Sequence, residues 1–215
     1  MIGADVTSAT CSATHCVEVR SAAAYTWAVL ASKGNRFGQL GRRSEEKVPH
    51  PVEIKSGVPM VKGAVGGSKK SGHTLLLDAK GEVWSFGCDR WQQLGLGSSS
   101  AGAVGYTWKG GRLWRHVPER IQALAGVQDI AAGDDHSVAL LSGGNVWTWG
   151  RGEHGQLGQG GAKPFVMPPT KSIMLSGKDV TGVVAAGNCT AVIGHDGSIV
   201  RYAGKCKDLL ENFKG

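Results

Sequence analysis

The stretch from Asn145 to Gly158 reads NVWTWGRGEHGQLG, and close copies of it recur along the chain. The copy from Glu82 to Gly95 reads EVWSFGCDRWQQLG, and a further Gly-Gln-Leu-Gly phrase occupies residues 38–41. The three phrases begin at residues 38, 92 and 155, at spacings of 54 and 63 residues. Self-similarity with a period of this order is the sequence signature of a repeat protein.

The two well-preserved copies share one arrangement of short apolar segments and turns. A histidine heads an apolar segment, HTLLL from His73 and HSVAL from His136, and a glycine turn at Gly81 or Gly144 comes next. A Val-Trp segment follows, then the Gly-Gln-Leu-Gly-like phrase, then a segment that begins with proline. β-branched and aromatic residues favour strands, and paired small residues favour tight turns. The pattern therefore predicts about four short strands per unit, as in one blade of a β-propeller.

Residues that recur once per unit are interpreted as structural, because each would do the same packing or hydrogen-bonding work in every blade. Two of them are histidines, which would otherwise suggest catalysis. We expect these histidines to hydrogen bond a turn instead. The structural repeat positions are His73, Trp84, Gly87, Leu94, His136, Trp147, Trp149, Gly150 and Leu157.

The two outer units depart from this pattern. In the first, aligning Thr26 with Thr74 leaves six residues missing where the Val-Trp strand should lie. In the last, Cys189 takes the place of His136 and no Gly-Gln-Leu-Gly phrase follows. We expect residues 1–19 to form an N-terminal extension, 20–204 to form the repeats (about 20–65, 66–132, 133–186 and 187–204, with an insertion loop at 98–116), and 205–215 to form a tail with a short helix.

These motifs resemble those of the RCC1 (regulator of chromosome condensation) repeat family. The resemblance covers roughly residues 20–204 and implies an RCC1-like β-propeller, which in the family is a ring of seven blades. This chain has about four units, so we predict an all-β, partial propeller of about four blades, with the outer two degenerate. The Gly-Trp-Arg-His-Thr phrase of plant ultraviolet-B receptors of this fold is absent from the sequence, since the site at 71–74 reads SGHT. We therefore expect no photoreception.

No motif of the sequence indicates catalysis. It has no nucleophile elbow, no phosphate loop and no His-Glu-x-x-His motif. The five cysteines are odd in number and irregularly spaced, which does not indicate a disulfide framework and favours a reducing compartment. Cys11, His15 and Cys16 lie close together but are too few to form a zinc site. We expect a protein that is not an enzyme, with no catalytic residue, no metal and no cofactor.

The insertion mixes aromatic and basic side chains, a combination common at contact surfaces. Tryptophan can stack on a base while lysine and arginine contact phosphates, as in binding of single-stranded RNA. A Gly/Ser-rich excursion without function is the alternative interpretation. The candidate contacts with a protein or RNA partner are Tyr106, Trp108, Lys109, Arg112, Trp114 and Arg115.

An open arc of blades leaves strand edges and blade faces that invite association. The expected function is a non-catalytic interaction or scaffold module, an accessory subunit of a larger assembly whose other protein subunits complete or cover the propeller. A chain that is a piece of a longer protein would explain the same arc. One alternative is an RNA- or chromatin-binding propeller, favoured by the net charge of +7 and the pI of about 9.3. Another is guanine-nucleotide exchange on a small GTPase, which we disfavour because in the family it uses loops from a complete ring.

The sequence also bears on location. No stretch approaches the roughly 18 apolar residues of a membrane span, so we expect no span. The first residues lack a basic start and a continuous apolar core, so they do not form a secretory signal. We expect an intracellular location, with the mitochondrion as a candidate compartment.

Overall fold

The computed structural model describes residues 5–29, 35–42, 48–68, 71–97, 106–109 and 112–207, and for 106–109 and 112 it describes the backbone alone. These residues form sixteen strands. They are β1 (Val6–Cys11), β2 (His15–Arg20), β3 (Ala23–Ala28), β4 (Val52–Ile54), β5 (Met60–Gly66), β6 (His73–Asp78), β7 (Val83–Cys88), β8 (Tyr106–Lys109), β9 (Arg112–Arg120), β10 (Val127–Ala132), β11 (His136–Leu141), β12 (Asn145–Gly152), β13 (Lys163–Lys171), β14 (Val180–Ala186), β15 (Cys189–Gly194) and β16 (Ile199–Gly204).

The described strands form four antiparallel sheets, and each sheet is one propeller blade. Blade 1 contains β1 to β4 in order, and blade 2 has the order β5, β6, β7, β9, β8. Blade 3 contains β10 to β13, and blade 4 contains the three strands β14 to β16. The prediction of an all-β, partial propeller of about four blades is confirmed.

The hydrophobic core lies between neighbouring blades. Val17, Val19 and Phe86 pack between blades 1 and 2, and comparable clusters fill the next two gaps. The inner blades are covered on both faces, so all six residues of β6 are buried, with an apolar run from Leu75 to Leu77 at its centre. In β3 of blade 1, by contrast, buried and half-buried residues alternate. The outer blades therefore have one covered face each.

The sequence repeat is offset from the structural blade by one strand. The histidine-led, Val-Trp and proline-led segments are the second, third and fourth strands of one blade. The segment that follows them, such as Val127–Ala132, is the first strand of the next blade. The predicted unit boundary at residue 132 thus falls inside blade 3, between β10 and β11. Each repeat unit is shared by two blades, which ties the neighbours covalently.

The predicted alignment of the first unit is wrong. His15, not a residue near Thr26, heads the strand that corresponds to β6, and β3 is the Val-Trp strand. The hydroxyl of Thr26 donates a hydrogen bond to the carbonyl of Leu40 at 2.8 Å, as the hydroxyl of Ser85 does to the carbonyl of Leu94. The strand that seemed to be missing is therefore present as AAYTWA. The sequence pattern did not reveal this strand because alanine stands at position 28, where the later units have glycine.

Two further expectations about the ends of the chain need correction. The stretch 1–19, expected to be an extension, contains β1 and most of β2, the first two strands of blade 1. The cysteines do form disulfides, Cys11 with Cys16 and Cys189 with Cys206, while Cys88 is free and buried. The odd number of cysteines could not reveal these disulfides, because five cysteines are equally compatible with two disulfides and one free thiol. Residues 208–215 lie outside the described residues, so the short helix stays a prediction.

The insertion expected to be a loop is a β-hairpin in its described part. Strands β8 and β9 pair from Tyr106 opposite Arg115 to Lys109 opposite Arg112. Strand β9 also pairs with β7 and continues to Arg120, so the hairpin extends blade 2 by a fifth strand at its outer side.

Candidate protein-interaction surfaces

A chain of buried histidines joins each blade to the next. The Nε2 atom of His15 lies 2.7 Å from Thr74 Oγ1, and that of His73 lies 3.0 Å from Ser137 Oγ. The Nε2 atom of His136 lies 2.8 Å from Thr190 Oγ1. We call these three contacts the histidine lock. Each contact runs from the second strand of one blade to the second strand of its neighbour.

The tautomer of the lock follows from the partners of its hydroxyl groups. Thr74 Oγ1 donates to the carbonyl oxygen of Gln39 at 2.9 Å, and Ser137 Oγ donates to that of Gln93 at 2.8 Å. A hydroxyl has one hydrogen, so toward the histidine it can only accept. His15 and His73 therefore carry a proton on Nε2. The predicted hydrogen bond to a turn is replaced by one to a hydroxyl of the next blade.

Burial determines the charge state of these histidines. It lowers the pKa of His15 to about 3, that of His73 to about 3 and that of His136 to about 4. The neighbouring histidines lower the pKa of His73 further, since a second positive charge nearby would repel the first. All three side chains have no exposed surface. Groups that stay neutral and dry near pH 7 suit a structural contact and are poorly suited to acid–base catalysis.

The glutamine of the Gly-Gln-Leu-Gly phrase has a role that sequence analysis missed. Its side chain folds back on its own turn, where Gln93 Oε1 accepts from the backbone N–H of Trp91 at 2.8 Å, and Gln156 Oε1 accepts from that of His154 at 2.9 Å. This leaves the Gln93 backbone carbonyl pointing at the next blade, where it binds Ser137. The recurrence of Ser or Thr after the histidine position, at Thr74, Ser137 and Thr190, was the available signal.

The remaining repeat residues differ in burial and in backbone conformation. Trp149 is fully buried and its Nε1 donates to the Gln93 carbonyl at 2.8 Å. Leu94 and Leu157 are buried, whereas Trp84 and Trp147 are half-buried at the blade surface. Gly87 and Gly150 have φ of +108° and +94°. A Cβ on Gly150 would stand 2.7 Å from the Asp135 carbonyl, so only glycine lets the strand pass the histidine turn.

The first strands of the blades surround a groove on the propeller axis. Its volume is about 250 Å³, and its walls are mostly small residues of β1, β5, β10 and β14. Lys62 of blade 2 forms an ion pair with Asp129 of blade 3. The second carboxylate oxygen of Asp129 accepts from the backbone N–H of Val183 in blade 4 at 3.2 Å. Contacts between blades hold the walls of this groove together, and its lining presents little charge to a ligand.

The histidine lock stops at both ends of the described arc. In blade 1 the residue after the histidine is Cys16 instead of Ser or Thr, and in blade 4 the histidine position is Cys189. Both cysteines are in disulfides within their own blade. Beyond them the outer faces are partly uncovered, with Tyr25 half-buried in blade 1 and Tyr202 53% exposed in blade 4. No described blade covers these two faces.

The predicted contact residues of the insertion are only partly available to a partner. Trp114 is buried, packs edge-on against Phe37 with ring centroids 6.3 Å apart, and donates from Nε1 to His116 Nε2 at 3.0 Å. Arg115 is largely buried and forms an ion pair with Glu119. Trp114 therefore packs the hairpin against Phe37 of blade 1, whereas Arg115 pairs within its own strand β9. The side chains of Tyr106, Trp108, Lys109 and Arg112 lie outside the described ones.

The described residues offer no other obvious chemistry. They contain no group of three or more His, Cys, Asp or Glu placed to hold a metal ion. Within the same part of the chain, no helix is long and apolar enough to cross a membrane. What the structure does present is a set of blade faces, turns and clefts of the kind that bind other proteins.

Comparison with known families decides the classification. Models of the regulator of chromosome condensation (RCC1) repeat match residues 80–140 and 143–193, and a second model of the same repeat matches 127–156. The chain belongs to the RCC1-repeat family. The matched ranges include the two well-preserved copies, as the sequence predicted.

Individual relatives are longer than this chain. The ultraviolet-B receptor UVR8 of Arabidopsis thaliana is 28% identical over 93% of this RCC1-repeat chain and 42% of its own length. The mitochondrial RCC1 domain-containing protein RUG3 of the same plant is 29% identical over 92% of the chain and 42% of its own length. The structure of Prp20p from Saccharomyces cerevisiae, described with its binding to Gsp1p and histones, superposes with a TM-score of 0.69 at 20% identity, covering 95% of this chain and 45% of Prp20p. The chain thus spans less than half the length of these relatives.

Proposed function

We propose that this RCC1-repeat chain is a non-catalytic protein-interaction module, an accessory subunit whose outer blade faces pack against other protein subunits. The observation that carries the proposal is the end of the histidine lock at Cys16 and Cys189. Between described blades, the lock and the core make the contact. At the two ends the lock residues are absent and partly apolar faces remain, and such faces mark interaction sites.

The composition of the two faces supports a protein partner. Blade 1 presents Tyr25 with the guanidinium of Arg20 4.2 Å from its ring centroid. Blade 4 presents Tyr202, which is 53% exposed. Tyrosine and arginine are enriched at protein interfaces because each combines a large apolar area with polar groups. The blade 4 face also has β16 as an edge strand without a further partner among the described strands, and such edges accept strands from other proteins.

Photo-crosslinking tests this proposal in the native cell. A photoreactive phenylalanine analogue would replace Tyr25 or Tyr202, and as a control Lys80, which is exposed in a turn of blade 2. We expect each tyrosine position to crosslink to a discrete partner protein, and the Lys80 position to give none. A chain that runs as a monomer in gel filtration of native extract, with no crosslink at either tyrosine, would contradict the proposal.

Two alternatives receive less support. Binding of RNA or chromatin is favoured by the net charge of +7, but of its six candidate contacts Trp114 is buried and Arg115 is half-buried in an ion pair with Glu119. A basic surface is also poorly matched to histones, which are themselves basic. Guanine-nucleotide exchange in the family uses loops of a complete ring, whereas four blades are described here. Binding that falls steeply as salt rises would favour the nucleic acid alternative.

We also propose a mitochondrial location, on the precedent of RUG3 alone. The cysteines no longer argue for a reducing compartment, since four of the five are in disulfides. Fractionation of cells that express a C-terminally tagged chain would test this. Recovery outside the mitochondrial fraction would count against it.

A further inference from the structure

A cleft on the outer side of the propeller, between blades 1 and 2, has a volume of about 450 Å³. One wall is the short edge strand β4 of blade 1, and the other is formed by Trp84 of β7 with Val117 and Pro118 of β9. It lies between two covered blades, away from the outer faces discussed above. A cleft of this size can take one or two amino acid side chains.

The polar group in this cleft is the guanidinium of Arg42. Its Nη2 atom donates to the carbonyl of Thr26 at 2.8 Å and to the hydroxyl of the same residue at 3.0 Å. Its Nε atom is buried and has no hydrogen-bond acceptor. Among the described residues no carboxylate forms an ion pair with Arg42, although seven other ion pairs are present there.

An arginine in this position is poorly compensated. Two neutral oxygens of Thr26 receive the hydrogen bonds of Nη2, while burial removes part of the hydration of the charge. Burial accordingly lowers the pKa of Arg42. A charge that has lost water and has no counter-charge among the described residues favours binding of an anion that can reach it. Arg42 lines the cleft, and a carboxylate can accept hydrogen bonds from a guanidinium with both of its oxygens.

The remaining walls are mainly apolar. Leu40 and Ile54 are buried at the base, and Val52, Val117 and Trp84 are half-buried around it. Such walls bind an aliphatic or aromatic side chain and disfavour a strongly hydrated phosphate. Glu53 and Lys55 lie exposed at the rim and offset each other in charge, so the site offers a single net positive charge.

We propose that this cleft binds a peptide segment in which an Asp or Glu carboxylate lies beside an apolar side chain. The carboxylate pairs with Arg42, and the apolar side chain lies between Val52, Val117 and Trp84. The cleft would thus give the interaction module a second, sequence-selective contact. It does not depend on the outer blade faces, and either site can be disproved without the other.

Nuclear magnetic resonance on the folded full chain tests the site, with the indole N–H of Trp84 as the reporter. The probes are two capped pentapeptides, Gly-Leu-Asp-Leu-Gly and its Asn counterpart, titrated to about 5 mM, a concentration that detects dissociation constants in the millimolar range. We expect the Asp peptide to shift the Trp84 signal and to bind at least about tenfold more tightly than the Asn peptide, as is usual for a hydrogen-bonded charge.

Three variants locate the binding. In Arg42→Gln the preference for the Asp peptide should disappear, and in Lys171→Gln, which removes an exposed charge from blade 3, it should persist. Val117→Phe fills the cleft without touching the guanidinium and should weaken binding at least about fivefold, a result that holds even if Arg42→Gln fails to fold.

Three outcomes would overturn the proposal. The first is the absence of any shift with either peptide. The second is equal binding of the Asp and Asn peptides, and the third is unchanged binding to a folded Arg42→Gln or to Val117→Phe. Displacement of the Asp peptide by a short single-stranded oligonucleotide at lower concentration would show instead that the cleft is a phosphate site.

Discussion

Acidification from pH 7 to pH 5 should destabilise the protein through the histidine lock. In the folded state the pKa values are about 3 for His15 and His73 and about 4 for His136. In the unfolded chain a histidine has a pKa of about 6.5. The unfolded state therefore binds more protons throughout this range, and stability rises with pH. The contribution is present in full above pH 6.5 and is lost as pH falls below it.

The size of the effect follows from the same values. At pH 5 each unfolded-state histidine is protonated and each locked one is not, which favours unfolding by about 2 kcal/mol per histidine relative to pH 7. Three such residues give about 6 kcal/mol. This is comparable with the whole stability of a typical domain, about 5 to 15 kcal/mol. We therefore expect acid unfolding to begin between about pH 5 and pH 6, above the range in which ordinary carboxylates titrate.

Urea unfolding followed by tryptophan fluorescence, at several pH values between about 5 and 7, measures this loss. His73→Gln provides the control, because its amide can still donate to Ser137 but does not titrate. The variant should be less stable than the parent at pH 7 yet lose about one third less stability on acidification. A total loss below about 2 kcal/mol, the share of one histidine, would refute the argument. So would an equal loss in parent and variant.

The remaining predictions concern backbone fit, disulfides and blade contacts, and thermal or urea melts check all three. Gly150→Ala should cost more than about 2 kcal/mol because its Cβ meets backbone, whereas Gly160→Ala, also at positive φ but in open space, should cost about 1 kcal/mol; equal costs would contradict this. The double variant Cys189→Ala/Cys206→Ala opens a loop of 17 residues and should lose about 3 kcal/mol, with the parent chain under reducing conditions falling to the same level. Asp129→Asn should lower stability by about 1.5 to 3 kcal/mol, the usual range for hydrogen bonds to a charged group, and an unchanged melt would show that its cross-blade contacts contribute nothing.

The central blades could be predicted from sequence because their signals agree with one another. At Trp147 to Gly150 the β-rich composition, the glycine and the spacing to Leu157 all indicate the same strand and turn. Strand β11 then follows from its apolar run, which a blade covered on both faces requires. Family membership and fold class needed no more than this.

The outer blades could not be predicted because the contacts that define them leave no repeated sequence pattern, and in blade 1 the glycine of the repeat is replaced. Blade 1 has Ala28 where the other repeats have glycine, so β3 does not match the repeat pattern. His15 is then not recognised as the repeat histidine. The correct alignment depends on Thr26 bonding the Leu40 carbonyl across a turn five residues longer than in blades 2 and 3. No periodic pattern records such a contact. The burial of Trp114 similarly depends on Phe37 of another blade.

The histidine lock also bears on what can cover the ends of the arc. A second copy of this chain placed head to tail would bring its blade 1 against blade 4 of the first. The lock at that junction would need a histidine at position 189 and a Ser or Thr at position 16. Both positions hold cysteines, and each is already in a disulfide within its own blade. A self-made junction would therefore lack the buried hydrogen bonds that every described junction has.

A different protein does not face this restriction. It can meet Tyr25 and Tyr202 with side chains of its own and need not reproduce the repeat. The replacement of lock residues at both ends, one on the acceptor side and one on the donor side, thus favours a distinct subunit over a ring made from copies of this chain. In the proposed complex, the disulfides would stabilise each outer blade before its partner binds.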